Sequence, residues 1–447
     1  SNSWLLVTTD RYNANTTYIH DPKTIFEFMT ISKIIIPSNR LSKIFAMIFI
    51  VFATVACVNE LKPEGGWSSP QVSDDIIFVG NRDGYLVRFD PNSKSLDTSW
   101  IYPIGDGIGA IYSDPIMFDG NVYGTGYKCN QYSGDRCEGE VFGVRIIDGR
   151  SIWGQGGLEL KTKLVGNVGF SGDTIFVGTS AIGDEDDGAD GYLYAIDASP
   201  DASSIVRWRI PLDGASSSGV AIDGSTAFIS TMAGTVYAID ISNVENRLTP
   251  DTRIKWTFQA EGALAGPILA VDGNLYFGDF ANNAYKLNDL TRVSSSNNSN
   301  VEAGNGEWKF DAGAWVWAKP VIEGDTVYIS ALDGAVFAID DSSGVEKWSA
   351  SLDGQIVASP TLFDRKRGDT RERALAVPSG ESNVWVISVI DGRELGVFVT
   401  DEKVKSTPLI YNNQLFVHTL NGDLKWFSVD DTTQRGCVEL KSGARCD

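Results

Sequence analysis

A short strand-forming phrase recurs eight times along this chain, and this repetition constrains the fold more than any other feature. The clearest copies are Gly191–Asp197, Gly234–Asp240 and Gly334–Asp340, in which β-branched and aromatic residues stand between a glycine and an aspartate. The eight copies begin at Gly84, Gly139, Gly191, Gly234, Asn283, Gly334, Asn383 and Gly422. Self-similarity with a period of about 20–50 residues is typical of repeat architectures, so we expect a chain of similar units.

The unit that ends at Trp348 shows the internal pattern of one repeat most clearly. Its β-rich runs Thr326–Ile329 and Ala335–Ile339 are separated by a turn that ends at Gly334, and Gly344 marks a further turn before Trp348. Glycine supplies the positive φ that tight hairpin turns need, so Asp-Gly and Ser-Gly pairs between β-rich runs indicate hairpins. Each repeat is therefore predicted to be an antiparallel meander of three or four short strands.

Two further residues mark the repeats, a tryptophan near the end and a proline near the start. The tryptophans are Trp100, Trp153, Trp208, Trp256, Trp308 and Trp348. The opening pairs are Ser69-Pro70, Asp114-Pro115, Gly266-Pro267, Lys319-Pro320, Ser359-Pro360 and Thr407-Pro408. One meander cannot bury its own face, and radial stacking of several would do so. We predict an all-β, eight-bladed β-propeller of four-stranded antiparallel blades, because the alternative, a β-sandwich, needs no such identical markers in every unit.

This set of markers resembles the pyrroloquinoline-quinone-type propeller repeat over roughly Trp67 to Ser428. The resemblance implies an eight-bladed ring. It does not imply one activity, since this repeat occurs in enzymes and in scaffolds. The eighth repeat stops at Ser428, so either Cys437–Leu440 or Asn59–Trp67 is expected to supply the strand that closes the ring.

An apolar run before Cys57 predicts export and anchoring. Ile44–Ala56 follows Lys43 and is too short to span a bilayer, which fits a secretory signal. Thr54–Cys57 resembles the lipobox of bacterial lipoproteins, which implies a lipid on Cys57 and an envelope location, on the periplasmic face of the outer membrane or at the cell surface; the alternative is an ordinary signal peptide with an incidental cysteine. The expected parts of the chain are a non-native upstream extension (1–28), a lipoprotein signal peptide (29–56), a linker and closing strand (57–67) and one propeller (68–447).

Charge and cysteine usage agree with an extracytoplasmic protein. The net charge is −21, which opposes binding to nucleic acid and to anionic lipid surfaces, so any membrane contact is expected through the lipid alone. Cys129 and Cys137 are close in sequence, as are Cys437 and Cys446, and two local disulfides are the natural pairing in an oxidising compartment. Three connectivities are possible on paper, and free thiols in a cytoplasmic protein are the alternative.

Residues for catalysis are scarce. Besides His20, in the excluded extension, the only histidine is His418, which lies in an apolar run and is expected to be a half-buried or solvent-facing strand residue. The quinone-dependent dehydrogenases of the resembled family use Ca²⁺, a tryptophan platform and often adjacent cysteines; no adjacent cysteine pair exists here, and of Trp315 and Trp317, which could imitate the platform, Trp317 is expected to pack between blades. We therefore expect no enzyme activity and no quinone cofactor.

Two charged segments are candidate sites. Asp184, Asp186, Asp187 and Asp190 lie in one glycine-bent loop, where carboxylates at such spacing can bind Ca²⁺; the alternative is a solvated acidic turn. The second segment is the one basic cluster in an acidic chain and is expected to project as a long loop that docks an acidic partner or phosphate-rich head groups; the alternative is a mobile hairpin tip. Its basic residues are Arg365, Lys366, Arg367, Arg371 and Arg373.

Together these features favour a lipid-anchored, non-enzymatic scaffold that binds a protein partner in the cell envelope. The chain resembles the lipid-anchored propellers of the outer-membrane β-barrel assembly machinery in repeat type, blade number and lipobox. The partner-binding motif of those propellers is missing where we would expect it, at Gly214–Gly219. The alternatives are a quinone-dependent dehydrogenase and a cell-surface propeller that binds sugars or peptides.

Overall fold

A computed structural model describes residues 66–129, 137–154, 156–179, 189–199, 205–244, 250–292, 297–298, 301 and 306–446. The chain divides into two compact units, Ser1–Lys62 and Pro63–Asp447, and all described residues belong to the second unit. The predicted extension, the signal peptide, Cys57 and the linker up to residue 65 lie outside the described residues. Within those ranges, no helix has the length and apolar character needed to cross a membrane.

The unit Pro63–Asp447 contains eight antiparallel meanders in which strands pair in chain order, here numbered sheets 1 to 8. Sheets 1 to 4 consist of Gln71–Ser73, Ile76–Gly80, Leu86–Asp90 and Ser95–Tyr102; Ile116–Phe118, Asn121–Cys129, Cys137–Arg145 and Leu158–Leu160; Gly169–Ser171, Thr174–Gly178, Gly191–Asp197 and Val206–Leu212; Val220–Asp223, Thr226–Ser230, Thr235–Asp240 and Ile254–Gln259. Sheets 5 to 8 consist of Leu269–Val271, Asn274–Gly278, Asn283–Asn288 and Trp308–Asp311; Val321–Glu323, Thr326–Ser330, Ala335–Asp340 and Glu346–Ser351; Thr361–Arg367, Thr370–Ser379, Asn383–Ser388 and Glu394–Val399; Leu409–Tyr411, Gln414–His418, Asp423–Ser428 and Gln434–Glu439. The prediction of an all-β, eight-bladed β-propeller with four-stranded antiparallel blades is confirmed.

The recurring phrase is the third strand of every sheet, and its composition follows from its position. In sheet 3, every residue of Gly191–Ile196 is buried, and so is every residue of Thr235–Ile239 in sheet 4. Neighbouring sheets cover both faces of the third strand of sheet 3: Leu193 shares a core cluster with Ile229 of sheet 4, and Ile196 shares another with Val141 of sheet 2. Strands buried on both faces are near-continuously apolar rather than alternating, which explains why the phrase lacks a polar face.

The ring closes between sheets 8 and 1. Of the two segments that the sequence left open, Gln434–Glu439 forms the fourth strand of sheet 8. Just after the strand, the fully buried Leu440 packs with Ile77 and Val79 of sheet 1 in one core cluster. The Asn81 side-chain amide donates a hydrogen bond to the Leu440 carbonyl at 3.2 Å. Apolar contact and polar bonding therefore join the last sheet to the first.

The repeated tryptophans connect each sheet to the next. Five of the six predicted tryptophans lie on fourth strands, and each indole N–H donates a hydrogen bond to the turn after the third strand of the following sheet. The acceptors are Ile146 O for Trp100 (2.8 Å), Val244 O for Trp208 (3.0 Å), Asp289 Oδ1 for Trp256 (2.7 Å), Asp341 O for Trp308 (2.9 Å) and Val389 O for Trp348 (3.0 Å). The sixth, Trp153, was predicted to be equivalent but lies in a turn, because sheet 2 has a fourth strand of only three residues, Leu158–Leu160.

One polar insertion departs from the simple meander. Within the stretch Ser294–Asn300, which reads as a hairpin loop in the sequence, Asn297–Asn298 forms a short fifth strand on sheet 4. This strand pairs in parallel with Thr257 and Phe258 of the outermost strand. The insertion therefore covers part of an open sheet edge, which would otherwise expose unpaired backbone groups. The one helical element among the described residues is the 3-10 turn Pro250–Arg253.

Candidate functional site

The proline-containing opening pairs converge on a cavity of about 130 Å³ at the centre of the ring. All six predicted pairs contribute a lining residue: Ser69, Asp114, Pro267, Lys319, Ser359 and Thr407. Sheets 3 and 4 contribute Asn167 and Ser217 from the equivalent loops, so every sheet reaches this cavity, which we call the hub. The sequence identified these residues as markers of each repeat but gave no sign that they meet.

Register arranges the hub residues in two rings. The first ring is the residue two places before the aligned start of each first strand, namely Ser69, Asp114, Asn167, Gly219, Pro267, Lys319, Ser359 and Thr407. The second ring lies two residues earlier and consists of Trp67, Tyr112, Val165, Ser217, Ala265, Trp317, Val357 and Lys405. All except Gly219 line the cavity. Alternate residues of an extended segment point to one side, which explains why both rings face the axis.

The alignment of the opening pairs that the sequence suggested is shifted by one residue at sheet 5. Gly266-Pro267 was predicted to match Lys319-Pro320, but the register of the first two strands aligns Pro267 with Lys319. Sheet 5 therefore places a proline in the first ring. A side chain could not stand at Gly266, because a Cβ atom there would lie 2.1 Å from the Trp317 carbonyl oxygen.

Hydrogen bonds link neighbours within the first ring. In each case a backbone N–H donates to the side-chain oxygen of the next sheet, which satisfies donors that the ring removes from water. The bonds run from Ser69 N to Asp114 Oδ1 (2.7 Å), from Asp114 N to Asn167 Oδ1 (2.7 Å), from Lys319 N to Ser359 Oγ (3.1 Å) and from Thr407 N to Ser69 Oγ (2.9 Å). Short polar side chains at this position are therefore structural acceptors.

The charged residues of the hub are two lysines and one aspartate. The Lys405 ammonium lies 4.7 Å from the centroid of the Trp67 ring. Burial raises the pKa of Asp114, and the hydrogen bonds from Ser69 and Asn167 oppose that rise. The hub therefore has a positive balance inside a strongly acidic protein. This differs from the acidic ligand set that a Ca²⁺-dependent quinone site needs.

Trp315 and Trp317 do not form one platform. Trp315 stacks on Phe280 with ring centroids 4.5 Å apart and planes 9° apart, while Trp317 is tilted against the same ring at 5.4 Å. Phe280 belongs to sheet 5, so Trp317 does contact the neighbouring blade, and it also lines the hub. Trp67 and Tyr112, from the adjacent sheets 1 and 2, meet edge-on with ring centroids 4.5 Å apart.

His418 is not the half-buried or solvent-facing residue predicted from the sequence. It is the last residue of a second strand and only 1 % exposed. Its Nδ1 lies 2.9 Å from the Ser68 carbonyl oxygen, which can only accept, so Nδ1 carries the proton. Burial lowers the pKa of His418 to about 4. The ring is therefore neutral at pH 7 and is held by a structural contact to sheet 1.

The two charged candidate segments differ in what the structure describes. Asp184, Asp186 and Asp187 lie outside the described residues, and Asp190 is exposed just before the third strand of sheet 3. The Ca²⁺ site therefore stays a prediction. The basic segment was predicted to be a loop but forms strands, because Thr361–Arg367 and Thr370–Ser379 stay paired up to the Arg367–Thr370 pair.

Most of the basic side chains in this hairpin, 361–379, already have partners. The Arg365 guanidinium donates to the carbonyl oxygens of Leu395 (3.2 Å) and Asp430 (3.2 Å). Arg373 forms a 2.8 Å ion pair with Glu323. Arg367 lies 3.4 Å from Glu372.

Lys366 and Arg371 stand opposite each other near the tip of the hairpin. They pair in register across the two strands, and both are exposed. Since Arg365, Arg367 and Arg373 contact other groups, the basic character that the hairpin presents to solvent is concentrated on these two side chains.

Both local cysteine pairs are bonded in the structure. Cys129 and Cys137 face each other across the second and third strands of sheet 2, with sulfur atoms 1.98 Å apart. Cys437 and Cys446 are joined at 2.04 Å beside the closing strand. The Gly214–Gly219 loop contributes Ser217 and Ser218 to the hub.

Comparisons with known proteins agree with this architecture. The sequence model of the family described as outer membrane protein assembly factor BamB matches residues 137–288 and 297–396. The chain is 25 % identical to BamB of Salmonella typhimurium over 374 residues, 79 % of this chain and 85 % of that protein. It is 24 % identical to BamB of Yersinia pestis over 378 residues, 80 % of this chain and 84 % of that protein.

Solved structures show the same fold. A computationally designed protein, Ika8, superposes with a TM-score of 0.56 at 14 % identity, covering 82 % of this chain and 98 % of Ika8. The crystal structure of BamB from Moraxella catarrhalis superposes with a TM-score of 0.53 at 17 % identity, covering 80 % of this chain and 93 % of that protein. Since the family model matches more than half of the residues, the chain belongs to the BamB family of pyrroloquinoline-quinone-type propellers.

Proposed function

We propose that this protein is a lipid-anchored, non-enzymatic scaffold that binds a protein partner during the assembly of outer-membrane proteins. The observation that carries the proposal is the extent of the match to the assembly factors: 79 % of this chain aligns with 85 % of the Salmonella typhimurium protein. A match of this extent includes most of the ring rather than one motif. At 25 % identity, the partner and its contacts are proposals for this chain.

The chemistry of the described residues is consistent with a scaffold. The only histidine among them is buried and donates to a backbone carbonyl, so it is unsuited to act as a general base in its present position. The hub cavity of about 130 Å³ is smaller than the roughly 300–1,000 Å³ typical of cofactor sites. Two disulfides fit the oxidising compartment that a lipid on Cys57 would imply.

The hairpin 361–379 is the surface that we propose for the partner. Other first strands have three or four residues, whereas Thr361–Arg367 has seven, so this hairpin extends beyond its neighbours. Its exposed Lys366 and Arg371 stand out against a net charge of −21. Complementary charge steers association and selects partners, so we propose that the partner presents an acidic surface here.

Crosslinking in native membranes tests this proposal. Tagged wild-type protein is crosslinked in its own host and purified, and we expect subunits of the outer-membrane assembly machinery to dominate the recovered proteins. The double variant Lys366→Glu/Arg371→Glu should lower that recovery by about tenfold or more, because opposite charges at an interface become like charges. Recovery dominated by proteins unrelated to assembly would contradict the function.

A matched variant separates the hairpin from net charge. Lys161→Glu/Lys163→Glu changes the charge by the same amount at two exposed positions of another loop, and should leave recovery unchanged. Equal loss of recovery in both double variants would contradict the hairpin as the docking surface, but it would not contradict the proposed function.

A dye-linked alcohol or sugar oxidation assay with added quinone and Ca²⁺ tests whether the protein is non-enzymatic. Turnover in that assay would contradict this part of the proposal.

A further inference from the structure

We propose that the hub binds a small organic carboxylate about as large as one aromatic ring. This proposal rests on the geometry of the two rings and is independent of the proposed function. Three features of the hub support it: the charge that faces the cavity, the side chains that could contact a flat body, and the scarcity of side-chain acceptors in one arc of the first ring.

The charge of the hub favours an anion. Lys319 and Lys405 line the cavity from sheets 6 and 8, and among the described residues Asp114 is the only acidic one that lines it. Asp114 already accepts hydrogen bonds from the Ser69 backbone (2.7 Å) and the Asn167 side chain (3.1 Å), so its carboxylate is satisfied by the ring. A ligand carboxylate could therefore pair with the ammonium groups, since charge-assisted hydrogen bonds are the strong ones.

The second ring favours a flat organic body over an inorganic anion. In an eight-membered ring, sheets 2 and 6 lie opposite each other, so Tyr112 and Trp317 face each other across the axis. Val165, Ala265 and Val357 add apolar walls. The volume of about 130 Å³ is close to that of a roughly 150 Å³ cavity that accommodates benzene. A phosphate ion would leave these aromatic and apolar surfaces without contact.

The first ring is short of acceptors on one side. Ser69, Asp114, Asn167, Ser359 and Thr407 each have a side-chain oxygen, but three consecutive sheets, 4 to 6, supply Gly219, Pro267 and Lys319, which have none. Among these three residues, only Lys319 takes part in the four ring hydrogen bonds seen among the described residues, and it does so through its backbone N–H, which donates to Ser359 Oγ. A carboxylate placed near Lys319 would supply acceptor oxygens to its ammonium group, in an arc whose own side chains offer none.

Binding by the purified protein tests the proposal, with benzoate, benzamide and inorganic phosphate as probes at constant ionic strength. We expect calorimetry to show saturable binding of benzoate with a dissociation constant below about 10 mM. Benzamide has the same shape without the charge and should bind at least about tenfold more weakly. Phosphate should also bind more weakly, because it lacks the ring. Absence of benzoate binding, equal binding of benzamide, or tighter binding of phosphate would each overturn the proposal.

Variants locate the site. Lys319→Gln and Lys405→Gln should each weaken benzoate binding by about tenfold, as expected for a lost charge-assisted hydrogen bond. Lys161→Gln removes one exposed charge between sheets 2 and 3 and should leave the affinity unchanged. Using both hub lysines keeps the test valid if one variant fails to fold, which thermal unfolding without ligand reports. Unchanged affinity in a folded hub variant would overturn the assignment.

Discussion

A single residue, His418, replaces a small side chain found elsewhere in the ring. In five other sheets the second strand ends at the same register with a glycine or a serine: Gly80, Gly178, Ser230, Gly278 and Ser330. In sheet 8 an imidazole fills this slot and reaches the Ser68 carbonyl, in the segment that leads into sheet 1. The substitution therefore adds a polar link across the junction where the ring closes.

This link should make the free energy of unfolding depend on pH. The pKa of His418 falls from 6.5 to about 4 on folding, so the unfolded chain binds the extra proton between these values. The stabilisation that the buried neutral imidazole gives the fold is fully present above pH 6.5 and is lost as the pH falls toward 4. A shift of this size corresponds to about 3 kcal/mol at most. Denaturant unfolding from pH 7.5 to 4.5 should show wild-type stability falling more steeply than that of His418→Ser.

The comparison with His418→Ser is needed because another group of sheet 8 has the opposite dependence. Burial raises the pKa of Asp423 to about 6, so its contribution is present below its ordinary pKa and is lost as the pH rises toward 6. Both proteins contain Asp423, and the difference between their pH profiles isolates His418. Parallel profiles would show that the imidazole is not held neutral by the fold.

Between elements, glycine and tryptophan act as complementary parts of one junction. Gly344, in the turn after the third strand of sheet 6, has φ +71°, and a Cβ atom there would lie 2.6 Å from Trp308 Cβ of sheet 5. Gly392 meets Trp348 in the same way, with a Cβ contact of 2.6 Å to Cε3. The glycine of one sheet is thus the receiving surface for the tryptophan of the sheet before it.

Two of the junctions without this tryptophan, those after sheets 7 and 8, are altered on both sides. In sheets 7 and 8 the fourth strand carries Gly396 and Gly436 at the corresponding register. The turns that would receive a tryptophan then carry Thr432 in sheet 8 and Lys94 in sheet 1, where three of the tryptophan junctions have glycine: Gly149, Gly344 and Gly392. In sheet 8 the tryptophan stands instead on the third strand, as Trp426 opposite Gly436.

Substitution of Gly344 by alanine measures the cost of one junction. Gly344→Ala combines an unfavourable φ with the clash against Trp308, so we expect it to destabilise the protein by about 2–4 kcal/mol. Gly324→Ala in the same sheet is the matched control, because φ is +60° there but no atom lies within 4 Å of the new Cβ. It should cost about 1–2 kcal/mol in denaturant unfolding. Equal losses would mean that the tryptophan contact adds nothing beyond backbone strain.

The strands were more predictable from sequence than the contacts between sheets. The phrase containing Gly334–Asp340 predicts a third strand because local propensity and burial on both faces favour the same residues. Sequence spacing groups Gly344 with Trp348, whereas in space Gly344 contacts Trp308 of the preceding repeat. The charged segment around Arg365 suggested a loop by its composition, yet cross-strand pairing continues to Arg367. A charged composition indicates that a segment is exposed to solvent, and an exposed strand can have the same composition as a loop.

At the scale of the whole molecule, the hub illustrates what local patterns omit. The opening pairs were found as repeats, but their meeting depends on eight loops converging on one axis, which no local pattern contains. The one-residue offset at Pro267 also becomes visible only through strand register. The closing strand was narrowed to two segments, since the sequence shows that the eighth unit is incomplete without showing which end of the chain completes it.

Ring closure makes a prediction about the whole molecule. Deleting residues 436–447 removes four of the six residues of the closing strand. It also removes the buried Val438 and Leu440, which pack against sheet 1. Each buried aliphatic side chain contributes about 2 kcal/mol or more, so the temperature of thermal unfolding should fall by at least about 5 °C. The open edge of sheet 8 should also promote self-association, which size-exclusion chromatography detects.

A shorter deletion separates the strand from its disulfide. Removing residues 441–447 together with Cys437→Ala eliminates the Cys437–Cys446 bond but keeps Gln434–Leu440 and its contacts with sheet 1. A local disulfide that encloses so few residues constrains the unfolded chain only modestly, so this variant should unfold close to the wild type and stay monomeric. If both deletions lower the unfolding temperature equally, the disulfide rather than the strand closes the ring; if neither does, closure contributes little, and the eight sheets are stable as an open stack.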